Sequence, residues 1–527
     1  MRIQSKVLYI TLAVVIALLP AAITWLMVTW HTGASFSDFV PWVNDEVSLW
    51  HQALTFSQHG FTGGGYYTLY EQPAQAPFTH YYAWGPFFPM LQGIFARLFG
   101  WKLYSGIIFN VVVLTAAIAF FIVAARPNLP QLILVGALLG TFWVMLIYIP
   151  TNMQESFHAA IALVLAAPFG RLIQAGPALP QPWRWALGIT IIFASVIRGT
   201  WVLAFFPYFL LLSEPRLRSY LFALMKALVL SAAAFAFYSY ISSRLPYRFT
   251  DQILDAVTMH SSLDDKIGTA LSLLGDRFEL NQGVLFSMQR IDWLTIGVMM
   301  WAQYLMALLG AAIWLGLRAA RAYRARRPFR LGETIPREVV FHLLNLSLML
   351  ALLFLLYQVD VRMGIAPLLL SLLVMILARH YRVAVGMIAL NLLFAPFFVT
   401  SYEVFARGRF FPDRHYIAQV ESLVNPYVAF QENAPSGWCN TLLIPMELFS
   451  WPVTVIPDGI GVSMYLTIDD LPLPVKSKYL VLSENGYQRV SRQQTLEVLN
   501  SGTEVPYYSE KLGLYRNAEA ACGSERP

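Results

Sequence analysis

Two carboxylates stand side by side at Asp45 and Glu46, inside the stretch WVNDEVSLWHQ that covers 42–52. Such residues can do acid–base work: a carboxylate within hydrogen-bond reach of a hydroxyl takes its proton as the oxygen attacks. Asp45 is the candidate base, and Glu46 the candidate for positioning an acceptor or a divalent cation. Neighbours on a helix project about 100° apart, so the two cannot face each other across a substrate as glycosidase carboxylates do. No lysine or arginine occurs between His31 and Ala96, so the two carboxylates are expected to lack a cationic partner, which would leave Asp45 available as the base. The plainer reading of the same residues is a helix start in which Asn44 caps and both acids complement the N-terminal dipole. Val47, Trp50 and Leu54 then form a membrane-facing stripe.

The elements that position this pair must cross a membrane. Of 527 residues, 57% are hydrophobic and 13% charged, with a mean hydropathy of +0.56. Apolar runs of about 20 residues recur, the length that crosses a hydrocarbon core of roughly 30 Å. The first, 7–30, follows Arg2 and Lys6 and reads as a retained span rather than a cleaved leader. Others lie at 103–125, 131–149, 157–175, 185–212, 219–241, 293–317, 339–357, 364–378 and 383–400. The sequence pI of 9.1 comes from Arg/Lys clusters that flank these runs, so they are topology signals and imply no nucleic-acid partner. P-loop, dinucleotide-binding, HExxH and CxxC patterns are missing from the sequence, and Gly63–Gly65 reads as a turn.

The stretch 318–337 holds seven arginines, whereas 31–96 holds four acids and no basic residue. The positive-inside rule puts the first in the cytoplasm and the second outside. That parity needs one more leg. The segment 85–100, with its two prolines, suits an interfacial helix. The run 185–212 is therefore expected to break at Arg198-Gly199-Thr200, because an arginine in mid-span is costly. The outer face then collects 31–102, 148–157, the Arg198 turn, the loop 242–292, the turn 358–363 and everything after about 400.

The last part of the chain changes character. Residues 401–527 carry ten Lys/Arg and fourteen Asp/Glu, with short strand-like runs at TLLIP (441–445) and KYLVLS (478–483). They read as a small α/β domain outside the membrane. Both cysteines, Cys439 and Cys522, fall here. In an oxidising compartment they form a disulfide worth ~4 kcal/mol by the chain-entropy estimate, or else remain two tolerated thiols.

The order of these features resembles the GT-C superfamily of polytopic glycosyltransferases, in particular the branch of protein O-mannosyltransferases and lipid A aminoarabinose transferases. Members carry an acidic pair in the first outer loop, then an H-P-P-like or K-P-P-like element and a juxtamembrane helix ending near FG. Asp45-Glu46, His80 with Gly85-Pro86, and Leu98-Phe99-Gly100 match that order, although Tyr-Tyr-Ala-Trp-Gly-Pro stands where the family has Pro-Pro. SVIRGTWVLAFFP (195–207) and DVRMGIAPLLLSLL (360–373) resemble later basic segments of the family. The resemblance implies a GT-C-like polytopic fold of about 10–11 transmembrane helices. Residues 1–400, with the outer loop 31–102, would form the catalytic module and 401–527 the extracytoplasmic α/β domain. It also implies a membrane enzyme that moves a sugar from a polyprenyl-phosphate carrier to a lipid, glycan or protein acceptor, usually with inversion. A bacterial inner membrane, with the N-terminus cytoplasmic, fits this reading.

In that chemistry the departing lipid phosphate needs positive charge more than an acid. Arg198 and Arg362 are the best outer-face candidates, because guanidinium grips phosphate bidentately. Arg244, Arg248 and Arg290 are weaker ones, and His80 is a substrate-contact candidate. The bland alternatives are an Arg362–Asp360 pair and an Arg198 that snorkels to the interface. Glu155 and His158 bind substrate or a divalent cation, or simply start a hydrated helix. His51 reads as an interfacial polar residue, and Asp469-Asp470 as part of a turn. Two other functional classes share the skeleton. A lipid-linked oligosaccharide flippase or transporter would carry buried charges at the bilayer midplane and repeat symmetry. An O-antigen polymerase or ligase would place its arginines in a large mid-chain outer loop, as 242–292 would allow.

Overall fold

A computed structural model describes residues 2–42, 44–60, 67–69, 71, 85–214, 216–242, 262–286, 291–324, 336–355, 361–411, 414–429, 437–445, 448, 461–465, 467–471, 473–505 and 510–520. The chain begins with α1 (Arg2–Ala17) and α2 (Leu19–Trp25), the latter running into a π-helical turn at Leu26–His31. Helices α3 (Asn44–His59) and α4 (Phe87–Phe99) follow, with the short strand β1 (Tyr67–Leu69) between them. Then come α5 (Ser105–Ala125), α6 (Leu129–Thr141), α7 (Trp143–Leu146), α8 (Glu155–Ala175), α9 (Gln181–Ile197), α10 (Phe205–Leu212) and α11 (Leu217–Ser242). The second half holds α12 (Leu263–Phe286), α13 (Ile291–Arg324), α14 (Arg337–Leu355), α15 (Val361–Leu377), α16 (Tyr381–Leu393), α17 (Ala395–Phe410) and α18 (Arg414–Ala429).

This is the polytopic helical architecture with a small terminal sheet domain that the sequence leads one to expect. Among the described residues, Ser105–Ala125, Glu155–Ala178, Leu217–Tyr238 and Trp301–Arg321 are long and apolar enough to cross a membrane. Two bent pairs add up to two more spans: Lys6–Ala17 with Leu19–His31, bent by 46°, and Tyr381–Leu393 with Ala395–Val424, bent by 51°. Other expected runs are shorter as helices because the backbone interrupts them. Phe142 (φ −83°, ψ 74°) ends α6, and Pro396 follows the bend at Phe394. At the centre of the bundle, α8 is buried almost throughout and packs on α5 and α15. A helix apolar on all sides belongs in such a position.

The 185–212 run breaks where the arginine predicts. Helix α9 stops at Ile197, Arg198 is extended (φ −143°, ψ 118°), and a 3-10 turn at Gly199–Ala204 leads into α10. Tyr208 Oη then donates to Arg184 O at 3.0 Å. On a continuous helix those residues would be about 36 Å apart, so the chain doubles back with Arg198 at the turn. Helix α4 has the one-sided burial expected of an interfacial helix. It buries Phe88, Gln92 and Ala96 and exposes Ile94, Leu98 and Phe99.

The terminal domain, called the outer domain after the side the sequence leads one to expect, is built on one sheet in the order β1-β3-β2-β4-β6-β5, with β2 (Thr441–Pro445), β3 (Gly461–Tyr465), β4 (Tyr479–Ser483), β5 (Leu496–Thr503) and β6 (Leu512–Asn517). Strands β1 to β4 run parallel, and β6 and β5 are antiparallel. Strands β2 and β3 are buried along their whole length, as parallel strands covered on both faces must be. One face meets α18, through Val420 and Val424 packed with Leu442 and Ile444. The other meets α19 (Glu484–Ser491), through Val490 packed with Leu443 and Leu480. The edge strand β1 comes from the segment between α3 and α4, paired Tyr67↔Val462 and Leu69↔Met464. Nearby, Glu71 accepts from the main-chain N–H groups of Lys476 and Ser477 at 3.1 and 2.7 Å. The sheet is thus completed from the other end of the chain, and position 400 falls inside α17.

Helix α3 joins the two halves. Val47 belongs to the outer-domain core and Leu49 to the bundle core, while Trp50, His51, Gln52 and Ala53 are buried. The membrane-facing stripe of Val47, Trp50 and Leu54 is therefore corrected. A domain covers one side of α3 and the bundle the other, leaving no lipid-facing stripe.

Candidate active site

The acid pair occupies the first turn of α3, and the segment before it is pinned to α17. Val40 N–H donates to Arg409 O at 2.8 Å. Gly408 lies flat on the Trp42 ring, where a Cβ would come within 2.5 Å of ring carbons. This close approach delivers Arg409 to Glu46, with Arg409 Nε 2.9 Å from Glu46 Oε2. The guanidinium lies over the Phe405 ring at 3.5 Å and donates through Nη1 to Phe405 O at 2.8 Å. Glu46 Oε2 also accepts from Trp42 N–H at 3.2 Å, and Glu46 Oε1 from Asn152 N–H at 3.1 Å. The whole Glu46 side chain is enclosed.

Asp45 faces differently. Arg362 Nη1, at the start of α15, lies 2.7 Å from Asp45 Oδ2, with 12% of the aspartate and 27% of the arginine side chain exposed. The expectation that the two carboxylates lack a cation is thus overturned twice, by Arg362 and by Arg409. The reason is tertiary: the cations arrive from α15 and α17, more than three hundred residues on.

The polar turn before α8 closes the inner side of the site. Asn110 Nδ2 donates to Thr151 O at 2.8 Å, and Thr151 Oγ1 receives Met153 N–H at 3.0 Å. Glu155, first residue of α8, accepts from Arg198 Nη2 at 3.1 Å in a buried pair. One turn on, Trp201 Nε1 donates to His158 Nδ1 at 3.1 Å. Neither Glu155 nor His158 is the hydrated helix start of the alternative reading, because the doubled-back leg beyond Arg198 covers both. Arg198 does not snorkel either, being buried against Glu155.

Segments placed on one face from charge alone thus meet. Asp45 and Glu46, the 148–158 turn, Arg198, Arg362 and the start of the terminal region all contribute to one cluster. Among the described residues, no group of three or more His, Cys, Asp or Glu is placed to hold a metal. His80, Arg244, Arg248, Arg290, Asp360, Cys522, Gly63–Gly65 and the Asn44 side chain lie outside the described residues. Cys439 is buried and disulfide-bonded. His51 is buried on α3, and Asp469 is bound by Arg489 Nη1 at 2.6 Å. Sequence reasoning missed Arg409 and Asn152. Their signals were faint: a glycine between two arginines in FARGRFF, and a polar TNMQE insertion between apolar runs.

No protein-family model matches the chain, and no curated protein matches it in sequence. Among solved structures, it is similar to ArnT from Cupriavidus metallidurans bound to undecaprenyl phosphate, with 12% identity, a TM-score of 0.39 and 99% of each chain covered. It is also similar to the Archaeoglobus fulgidus oligosaccharyltransferase tethered through a disulfide bond to an acceptor peptide containing the NVT sequon. That match has 12% identity and a TM-score of 0.47 and covers 98% of this chain and 75% of that one. Both of these proteins are GT-C glycosyltransferases.

Proposed function

We propose that this protein is a membrane glycosyltransferase that moves a sugar from a polyprenyl-phosphate donor to a hydroxyl acceptor on the extracytoplasmic face. The observation that carries the reading is the partly accessible Asp45–Arg362 pair, set beside the enclosed Glu46–Arg409 pair in the first turn of α3. A transferase of this kind needs a carboxylate that can reach solvent and a cation beside it. Asp45 and Arg362 supply both at one point.

In the proposed step the acceptor oxygen attacks the anomeric carbon and its proton passes to the Asp45 carboxylate. The bond between the anomeric carbon and the phosphate oxygen breaks, and the polyprenyl phosphate leaves with the electron pair. One displacement inverts the anomeric centre. Arg362 holds the phosphate and His80 is a further substrate contact, while Arg198, buried against Glu155, takes a revised role and fixes the turn between α9 and α10. Glu46 takes a revised role: enclosed and held from three sides, it fixes the turn that presents Asp45 instead of touching the acceptor. A bacterial inner membrane, with the outer domain extracytoplasmic, is the proposed setting.

The test is transfer by purified wild type and Asp45→Asn, given a panel of undecaprenyl-phosphate sugars and an envelope extract as acceptor. Labelled product from wild type alone supports the assignment. Equal product from both removes Asp45 as the base. A wild type that moves intact lipid-linked glycan across vesicles, and transfers no sugar, replaces the reading with a flippase.

A further inference from the structure

Asn152 has no exposed surface, and four parts of the chain meet at it. Its main-chain N–H donates to Glu46 Oε1 and its Nδ2 to Glu46 O, both at 3.1 Å. Its Oδ1 accepts from Gln92 Nε2 of α4 at 3.2 Å. The same oxygen presses on Gly106 of α5, where a Cβ would lie 1.8 Å away. One side chain therefore uses both ends of its amide to tie α3 to α4, in a space that only a glycine on α5 leaves open. One residue before Glu46 is Asp45, bound to Arg362; three residues after Asn152 is Glu155, bound to Arg198.

We infer that Asn152 is a positioning residue that sets the two arginine–carboxylate pairs in register. By gripping Glu46 through main chain and side chain, it fixes the first turn of α3 relative to the start of α8. The place where Asp45 meets Arg362 is thereby fixed against the place where Glu155 meets Arg198. The consequence for rate rests on the glycosyl-transfer reading; the geometry does not. The amide is specific to the task. An alanine leaves the Glu46 carbonyl and the Gln92 amide without this partner in a buried place, and an aspartate turns an acceptor toward that carbonyl and adds a negative charge beside Glu46. Reacting groups displaced by about 1 Å lose about 100-fold in rate. That loss should appear in kcat, because Asn152 is enclosed and touches no ligand.

The experiment compares Asn152→Ala and the isosteric Asn152→Asp with Gln131→Ala in the full-length protein in nanodiscs. Gln131 is a control of the same chemistry at the far end of α15, where its Nε2 donates to Ile376 O and Leu377 O at 3.1 and 3.0 Å. With the panel of undecaprenyl-phosphate sugars, each Asn152 variant should lose about 100-fold in kcat while the donor KM stays within about threefold. Gln131→Ala should lose thermal midpoint without losing kcat. An Asn152 variant that folds and keeps wild-type kcat, or loses no more than the Gln131 control, overturns the inference. A second measurement needs no transfer: a double-mutant cycle of thermal midpoints between Asn152→Ala and Glu155→Gln, whose pair with Arg198 is buried, or between Asn152→Asp and Glu155→Gln if the alanine variant does not fold. If Asn152 sets the Glu155–Arg198 contact, the shifts are not additive. Strictly additive shifts overturn the inference whatever the enzyme does. A wild type without transfer defeats the proposed function and leaves the cycle to decide the role of Asn152.

Discussion

Two ion pairs start from adjacent residues of one helical turn and are built for different ends. Glu46 and Arg409 are sealed, with side-chain exposures of 0% and 4%, whereas Asp45 and Arg362 keep an opening to solvent. The chemistry of the partners is the same; the surroundings are not. Glu46 sits where the outer domain, α17 and the α8 turn close together, and Asp45 meets Arg362 at the start of α15. A sealed carboxylate has no route to a substrate but can hold a turn rigid, since removing one partner of a buried pair leaves an uncompensated charge. A pair that keeps an opening holds the fold less tightly than a sealed one and can exchange partners with an incoming anion or hydroxyl. The double acid is therefore one structural residue and one residue available for chemistry, separated by the rotation of a helix.

The widest separation should come from neutralising each carboxylate in turn. Asp45→Asn is expected to lower transfer by a factor of about 10²–10⁴ while the thermal midpoint in detergent stays near that of wild type. Glu46→Gln should reverse the pattern, destabilising the protein by about 3–5 kcal/mol as Arg409 is left buried and charged. Thermal unfolding with transfer measured below the midpoint checks both. An Asp45→Asn protein that is badly destabilised, or a Glu46→Gln protein as stable as wild type, breaks the comparison. The double variant Glu46→Gln with Arg409→Met sharpens it, because removing both charges should recover part of the loss seen with Glu46→Gln alone. A double variant no more stable than the single one would mean that the hydrogen bonds to Trp42 and Asn152, and not the charge pair, carry Glu46.

Arg362→Gln is expected next in size. It removes the accessible cation, so the donor KM should rise about tenfold with a smaller change in stability than Glu46→Gln. Arg362→Lys should recover only part of the binding, because an ammonium lacks the bidentate fork. Steady-state kinetics across donor concentrations decides. Unchanged donor KM in Arg362→Gln would move the phosphate to a residue outside the described cluster.

What was legible in the sequence was which segments gather at the site, for a physical reason. An arginine inside an apolar run has to be turned out of lipid, and the chain does break at Arg198. The strands at 441–445 and 478–483 follow from short apolar runs in an otherwise polar stretch. The pairing inside the site was not legible. Asp45 on α3 and Arg362 on α15 share no sequence signal, and Arg409 reaches Glu46 only because Gly408 lets α17 settle on Trp42. The strand contributed by 67–69 was equally hidden. Three residues have no periodicity to read, and what makes them a strand is the open edge of β3.

The weakest effect is the one that tests whether burial, and not the mere presence of a carboxylate–arginine contact, divides the pairs. In the outer domain, Asp469 and Arg489 form a contact of 2.6 Å with 85% and 36% of their side chains exposed. By geometry alone it is as short as the Asp45–Arg362 pair. If exposure sets the value, Asp469→Asn should shift stability by less than about 1 kcal/mol, and the shift should fade as salt is raised. Glu46→Gln should keep most of its cost in the same salt series, since ions do not screen an enclosed pair as they screen a surface one. Unfolding midpoints of the two variants at low and high ionic strength make the comparison. Equal salt dependence would mean that solvent reaches Glu46 through an opening, and Glu46 would then return as a candidate for direct contact with the acceptor.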